Sequence, residues 1–224
     1  MSVEIRAIRE EEREECIQLW CRVWGGESNI PYFSKYFYGD VEWLPYYTTV
    51  AVEDGVLVSA VHICKRIVPC GDYHLTMGGI ANVATLPEHR GKGYNTQCLQ
   101  KAIAVMEADA MDFSLLFTGI NDYYARLGYE TLPGNLYTGK IRPELLPVPS
   151  PYHVRQAKAE DIPALQTLYA QYNSRRPLSV QRTPAYWRDW CKVSTESLPE
   201  GITVAENAEG TVVGYLRRGH FNSA

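Results

Sequence analysis

The sequence lacks an excess of positive charge and has no long apolar run. Its 224 residues include 22 Lys and Arg against 26 Asp and Glu, a net charge of −4. Proteins that bind DNA or RNA need many cations to neutralise phosphates, so we expect no nucleic-acid partner. No apolar run approaches the roughly 20 residues that a membrane helix requires, so we expect no membrane partner. The acidic N-terminus also lacks the apolar segment of a secretory signal peptide.

Cysteine and histidine lack the spacing of a disulfide framework or a metal site. None of the six cysteines forms a CxxC pair, and the five histidines are scattered. In the absence of a secretory signal this pattern indicates reduced thiols, and we expect a cytoplasmic protein without a metal. The apolar fraction of 46% and the charged fraction of 21% are typical of a globular protein and exclude a disordered chain.

The hydrophobic pattern of the first two thirds of the chain predicts a mixture of strands and helices. Strands are predicted over Val3–Ala7, Thr48–Glu53, Val56–Val68, Met77–Thr85, Phe113–Phe117 and Tyr137–Ile141. Helices are predicted over Glu10–Val23, Tyr32–Phe37, Tyr94–Ala108 and Asn121–Leu127. The dipeptide Asp54-Gly55 between two β-branched runs is typical of a hairpin turn.

A cluster of prolines divides the chain, and a similar pattern begins again after it. Pro143, Pro147, Pro149 and Pro151 indicate a linker. A strand near Tyr152–Gln156, a helix capped by Asp161 and a hairpin over Ile202–Leu216 follow. We interpret this as a weak internal repeat, with chance similarity as the alternative. The predicted domains are residues 1–145 and a partial second unit over residues 152–224.

The segment Asn29–Tyr47 is rich in aromatic side chains. Under the simpler interpretation these rings pack in the core and in loops. The alternative is that a few of them, with Glu27, Asp40 and Glu42, line a pocket for a cationic amine.

The segment with the clearest chemistry is Arg90-Gly91-Lys92-Gly93-Tyr94-Asn95, between a predicted strand and a predicted helix. Two glycines allow the backbone to turn so that successive N–H groups point in one direction. The helix N-terminus adds about half a positive charge, and Arg90 and Lys92 add full charges. Together these features predict a binding site for a pyrophosphate group.

Two common phosphate-binding motifs do not fit this loop. A P-loop requires GxxxxGK followed by Ser or Thr, whereas Lys92 is followed by Gly93. A dinucleotide-binding fingerprint requires GxGxxG, and its third glycine is absent. The pattern Arg/Gln-x-x-Gly-x-Gly/Ala matches at Arg90 and Gly93 but has Asn95 at its last position.

This third pattern, together with the segment Tyr123–Tyr129, resembles the GCN5-related N-acetyltransferase (GNAT) superfamily. The resemblance covers residues 1 to about 142. It implies an α/β (α+β) fold with a mixed, mostly antiparallel central sheet and flanking helices, followed here by a partial second GNAT-like unit that is not catalytic. The repeated pattern after the prolines resembles the tandem-domain branch that includes the enhanced-intracellular-survival-type acetyltransferases.

The resemblance implies that acetyl-coenzyme A is the co-substrate. Val83 and Thr85 match strand positions whose backbone binds the pantetheine arm. The loop Gly91–Asn95, with Arg90, matches the loop that binds the pyrophosphate. The candidate coenzyme-binding residues are Val83, Ala84, Thr85, Arg90, Gly91, Lys92, Gly93, Tyr94, Asn95 and Asn121. Tyr124 matches the tyrosine that protonates the departing thiolate, and a phenol is close enough in pKa to a thiol to share that proton.

The general base is not identified, because the stretch Gly78–Asn82 has no carboxylate where many relatives have a glutamate. Asn82 can orient a water molecule, and so can Glu27, Asp40 or Glu42. A backbone N–H near Val83 or Ala84 would stabilise the oxyanion.

The predicted activity is acetyl transfer to a primary amine of a small molecule or a peptide, by direct attack. The alternatives are a non-catalytic sensor of acyl-coenzyme A and a scaffold that has lost the ligand. The last predicted strand, Thr211–Arg218, would expose an edge. We expect the first domain or a second copy of the chain, in a homodimer, to cover this edge; the alternative is that the chain is part of a longer protein.

Overall fold

The computed structural model describes residues 2–134, 150–176, 178–192 and 201–217, together with residues 139, 142 and 144. The chain forms two compact units. The first comprises Met1–Phe117 and Tyr172–Cys191, and the second comprises Thr118–Gln171 and Lys192–Ala224. The predicted division near residues 145 and 152 stays a prediction, but the first unit contains a segment from beyond the proline cluster.

The first unit is built on a five-stranded sheet in the order β1-β2-β3-β4-β5. Its strands are β1 (Val3–Ala7), β2 (Thr48–Glu53), β3 (Val56–Cys70), β4 (Tyr73–Thr85) and β5 (Phe113–Leu115). The first four strands pair antiparallel, and β5 pairs parallel to β4. The hairpin turn at Asp54-Gly55 forms as predicted, with both residues at positive φ.

Helices cover both faces of this sheet. They are α1 (Arg13–Val23), α2 (Ile30–Tyr38), α3 (Tyr94–Ala108) and the short α6 (Pro184–Asp189). Every residue of β2 is buried, which requires cover on both faces because successive side chains of a strand point in opposite directions. The predicted α/β fold with a mostly antiparallel central sheet and flanking helices is therefore confirmed.

The aromatic segment mainly fills the core of the first unit. The ring of Phe37 stacks on that of Trp20 at 5.2 Å, and Phe33 and Tyr36 pack against the same indole. These residues share one buried cluster with β2 residues such as Val50. The simpler interpretation of the aromatic segment therefore accounts for these rings.

Gly78 in β4 has no room for a side chain. A Cβ atom there would lie 2.2 Å from Sδ of Met106 and 2.9 Å from Sδ of Met111. We expect Gly78→Ala to destabilise the protein by about 1–3 kcal/mol, because the thioethers of the buried Met106 and the half-buried Met111 must repack. Gly214→Ala is the matched control, since a Cβ there meets nothing within 4 Å. Denaturant unfolding of both variants tests this, and equal stability would contradict the packing argument.

The second unit contains α4 (Asn121–Ala125), α5 (Ile162–Asn173, its last two residues in the first unit) and a three-stranded sheet. The strands β6 (His153–Gln156), β7 (Ile202–Glu206) and β8 (Val212–Arg217) pair antiparallel in that order. β6 and β8 are thus its outer strands among the described residues. The predicted homodimer through this edge stays a prediction.

Each unit contains the same kind of ion pair between a strand and the start of the helix that follows it, α1 in the first unit and α5 in the second. Arg6 pairs with Glu12 at 2.6 Å, and Arg155 pairs with Asp161 at 2.7 Å. In each case the acid also accepts a backbone N–H three residues before it. In both pairs an arginine on a strand binds an acid six residues later, just before a helix. This shared arrangement favours the predicted internal repeat.

Most of the predicted elements form, with shifted ends. β3 and β4 extend further than predicted and meet in a hairpin that pairs Cys70 with Tyr73. The predicted strand over Tyr137–Ile141 lies outside the described residues, apart from Gly139, as does most of the proline linker. No helix among the described residues is long and apolar enough to cross a membrane.

Candidate functional site

The central strand β4 separates from β5 halfway along its length. The two strands pair only from Met77 opposite Phe113 to Gly79 opposite Leu115. From Ile80 to Thr85, β3 is the only strand in the described part of the chain that pairs with β4. Among the described residues, this edge of β4 therefore has no partner strand, and it includes the predicted residues Val83, Ala84 and Thr85.

A β-bulge distorts β4 next to this edge. Two residues of β4, Asn82 and Val83, oppose a single residue of β3, and Asn82 adopts a φ of 52°. Nδ2 of Asn82 is buried and has no hydrogen-bond partner within the described residues. Bulges often redirect side chains next to active sites. Nδ2 of Asn82 is thus a hydrogen-bond donor that no described residue uses.

The loop after β4 presents main-chain amides. Gly91 and Gly93 have φ values of 78° and 79°, a conformation that side chains rarely adopt. Gly91, Lys92 and Gly93 are exposed, and their N–H groups donate to no acceptor in the described part of the protein. α3 begins at Tyr94, where N–H of Gln97 donates to the carbonyl of Gly93 at 3.1 Å. These amides and the helix N-terminus form a site suited to an anion.

The two cations of this loop have different surroundings. Nζ of Lys92 lies 2.8 and 2.9 Å from the two carboxylate oxygens of Glu53. Nε of Arg90 donates to the carbonyl of Thr85 at 3.3 Å, and the Arg90 side chain is exposed. Arg90 forms no ion pair with any described residue. Arg90 is therefore the loop cation that is available to an anion.

No motif of the sequence points to Glu53. This carboxylate is 7% exposed at the end of β2 and accepts from the Tyr94 hydroxyl at 2.5 Å. Lys92, Tyr94 and then His89 together lower the pKa of Glu53 to about 2. The contribution of this ionised carboxylate to stability is therefore present above its ordinary pKa of 4.5 and is lost as the pH falls toward 2.

Of the remaining predicted coenzyme-binding residues, Thr85 and Asn95 are half-buried and Asn121 is exposed. The Thr85 hydroxyl pairs with Oγ of Ser59 at 2.8 Å, and Asn95 in the first turn of α3 has a partner within the protein. Asn121 belongs to the second unit, where its Nδ2 donates to Oγ1 of Thr131 at 2.9 Å.

Tyr124 lies on α4 in the second unit, and its side chain is 7% exposed. The rings of Tyr123 and Tyr129 meet it edge-on at 5.1 and 6.0 Å. Burial raises the pKa of the Tyr124 phenol, and the two neighbouring phenols act in the same direction. Its hydroxyl has no hydrogen-bond partner among the described residues. The Tyr124 phenol is therefore protonated at neutral pH, and no described residue accepts its proton in a hydrogen bond.

A family model provides the deciding comparison. The model of the acetyltransferase (GNAT) domain, Acetyltransf_9, matches residues 4–132, which is more than half of the chain. The chain belongs to the GNAT acetyltransferase family. This confirms the predicted family and the prediction of an acyltransferase domain. No curated protein matches the chain in sequence at a significant level.

Solved structures share the GNAT fold over nearly the whole chain. A protein from Enterococcus faecalis described as a probable N-acyltransferase has a TM-score of 0.73 and 19% identity, covering 96% of this chain and 54% of its own. A GCN5-related N-acetyltransferase from Anabaena variabilis has a TM-score of 0.70 and 17% identity, covering 96% and 53%. Eis1 from Mycobacterium abscessus has a TM-score of 0.61 and 16% identity, also covering 96% and 53%.

These likenesses concern the fold. The predicted resemblance to the enhanced-intracellular-survival branch is confirmed at that level by Eis1. The chain spans about half the length of each of these three proteins.

The carboxylates that are candidates for the general base of this GNAT domain differ in whether an ion pair already holds them. Asp40 is buried, and both its oxygens accept from the Arg66 guanidinium, at 3.0 and 2.7 Å. Glu27 and Glu42 are exposed, and their carboxylates form no ion pair with any described residue. Asp40 is therefore committed to a structural pair, and Glu27 and Glu42 remain as candidates.

One cluster of the first unit has the donor types of a metal site. Ligand atoms of Asp40, His62 and Cys64 lie within 4.8 Å of one another. However, the Arg66 guanidinium already occupies the cation position beside Asp40, and a metal ion there would be repelled. Burial lowers the pKa of His62 to about 3, so this histidine is neutral. The cluster is better described as a buried ion pair, and the expectation that no metal is needed stays a prediction.

Proposed function

We propose that this protein transfers an acetyl group from acetyl-coenzyme A to a primary amine by direct attack, without a covalent enzyme intermediate. The observation that carries the proposal is the loop after β4, where three consecutive amides, Gly91–Gly93, have no acceptor among the described residues. The GNAT family match supports it, and so does the edge of β4 that pairs with no strand among the described residues.

The residues present fit the coenzyme. A Cβ at Gly91 or Gly93 would meet nothing within 4 Å, so the space beside these amides is open. The loop amides and Arg90 would hold the diphosphate, and the backbone of Val83–Thr85 would hold the pantetheine arm. Bound there, the coenzyme supplies a thioester carbonyl that an amine can attack.

The chemistry requires a proton donor and an oxyanion donor. The amine nitrogen would bond to the carbonyl carbon to give a tetrahedral oxyanion. As this adduct collapses, the carbon–sulfur bond would break and Tyr124 would give its proton to the sulfur, to be reprotonated afterwards from water. A backbone N–H near Val83 or Ala84 would donate to the oxyanion. The amine loses its proton to water, which Asn82, Glu27 or Glu42 would orient. The acceptor is a primary amine of a small molecule or a peptide.

A sensor that binds acyl-coenzyme A without transfer is the second candidate. It is favoured by one observation: Gly78–Asn82 on β4 contains no carboxylate to act as a base. Thiol release in the presence of aminoglycosides, polyamines, amino acids and peptides separates the two functions. Release with any amine supports transfer, whereas tight binding without release across the panel supports the sensor.

Binding itself is tested by calorimetry with acetyl-coenzyme A. We expect a dissociation constant between about 1 µM and 1 mM, the usual range of enzyme substrates. We expect Gly93→Val to weaken binding by at least about tenfold, because a valine at this positive φ strains the turn and redirects its amides.

Gly71→Val provides the matched control, because Gly71 also has positive φ and open space but lies at the distant β3–β4 hairpin. It should bind the coenzyme like the natural protein. An equal loss of affinity in both variants would mean that destabilisation, and not the loop, is responsible.

A further inference from the structure

Three side chains of the loop converge on Glu53. Lys92 contributes its ammonium to both oxygens, at 2.8 and 2.9 Å, and Tyr94 donates its hydroxyl at 2.5 Å. Nδ1 of His89 lies 2.5 Å from Oε2. Glu53 is only 7% exposed, so little water competes for these contacts.

These three contacts with Glu53 restrict the conformation of the loop and so the direction in which its backbone amides point. His89 and Tyr94 lie on either side of the two glycines, and Lys92 lies between them. Because all three side chains reach one fixed carboxylate, the loop is anchored at its beginning, middle and end. The amides of Gly91, Lys92 and Gly93 are not used in this anchoring.

We propose that Glu53 is a positioning residue for the diphosphate-binding loop, which it holds open to the coenzyme through Lys92, Tyr94 and His89. The diphosphate is then bound by the loop amides and Arg90, and Lys92 acts through Glu53. This inference rests on the proposed function, because it concerns the same site. It assigns a structural role to one of the two cations that the sequence places in the loop.

The variant Glu53→Gln gives opposite results under the two interpretations. If Glu53 is a bystander charge, its removal frees Lys92 and makes the site more positive, so acetyl-coenzyme A binds more tightly. If Glu53 positions the loop, the anchored conformation is lost and binding weakens. We expect the dissociation constant of acetyl-coenzyme A to rise about tenfold, the effect of losing charge-assisted hydrogen bonds.

Glu88→Gln is the matched control. Glu88 is a neighbouring carboxylate in the same segment, but it is exposed and pairs with Arg22 at 2.8 Å and not with the loop. It removes the same charge and should leave the affinity within about twofold. Equal affinities of Glu53→Gln and Glu88→Gln, or tighter binding by Glu53→Gln, would overturn the proposal.

Tryptic cleavage without coenzyme tests the positioning independently. Trypsin cuts after Lys92 only when that side chain leaves its ion pair and the loop opens. We expect cleavage after Lys92 to be at least about threefold faster in Glu53→Gln than in Glu88→Gln. Equal cleavage rates would overturn the proposal even if no coenzyme bound to the natural protein. A failure of the proposed function is therefore distinguishable from a failure of this inference.

Tyr94→Phe provides a milder variant if Glu53→Gln does not fold. It removes one hydroxyl contact to Glu53 and keeps the buried ring. We expect a smaller loss of affinity, about threefold, and cleavage after Lys92 that is faster than in Glu88→Gln. Unchanged cleavage together with unchanged affinity would contradict the positioning role.

Discussion

Replacing Tyr124 by phenylalanine is expected to lower the turnover of acetyl transfer by about 100-fold or more, the usual contribution of a positioned general acid. The change removes one hydroxyl and keeps the ring, so the edge-on contacts with Tyr123 and Tyr129 remain. Affinity for acetyl-coenzyme A should stay within about twofold, because the proton is needed only as the thiolate departs. Steady-state kinetics and calorimetry on the same preparation measure both quantities.

Tyr123→Phe is the control for this experiment. It makes the same chemical change at the adjacent position and should leave turnover within about threefold. The raised pKa of Tyr124 adds a second expectation: loss of turnover from its ionisation begins only above its ordinary value of 10.0. Full activity of Tyr124→Phe would show that the proton comes from another group, even if the protein remains an acetyltransferase.

Replacing Arg66 by alanine is expected to cause the largest loss of stability, about 3–5 kcal/mol, because it leaves the buried carboxylate of Asp40 without its partner. The side chains of Arg66 and Asp40 are 5% and 1% exposed. The guanidinium also lies over the rings of Tyr186 and Trp190, at 5.1 and 4.9 Å, so its removal loosens the packing of α6. At about 2–4 °C per kcal/mol, the melting temperature should fall by roughly 6–20 °C.

Two further variants test this explanation. The double variant Asp40→Leu with Arg66→Met removes both charges and should be more stable than Arg66→Ala, since apolar groups often replace a buried pair without loss. Arg22→Ala breaks the exposed pair with Glu88 and should cost at most about 1 kcal/mol. A double variant as unstable as Arg66→Ala would show that charge burial is not the cause.

The order of elements in the first unit could be predicted from the sequence because local patterns determine it. Alternating and helical periodicities identify β2 and α3, and Asp54-Gly55 specifies the hairpin between β2 and β3. The apolar pattern ends β3 at Val68 and begins β4 at Met77, whereas the strands reach Cys70 and Tyr73. Hydrogen bonding between the two strands extends both of them beyond their apolar residues.

The helix α6 was missed although a local signal was present. Thr183 caps it by accepting from N–H of Tyr186 at 3.1 Å, and Pro184 occupies its first turn. A Thr-Pro dipeptide is a typical helix start. That α6 packs in the first unit could not be predicted, since it depends on contacts of Tyr186 and Trp190 with a residue more than a hundred positions away.

By itself, the sequence determined the order of strands and helices and the amide-presenting loop, because glycines, charges and apolar periodicity act over a few neighbouring residues. The GNAT fold and the candidate acid Tyr124 were implied by the resemblance of its motifs to that family. Only the tertiary structure decided which charged side chains are paired within the protein and which are available to a ligand. It joins Lys92 to Glu53, 39 positions away, and Asp40 to Arg66, 26 positions away, and it leaves Arg90 exposed. Two opposite charges attract strongly when folding brings them together away from water. Since the partners are far apart in the sequence, no local pattern predicts which charges will pair.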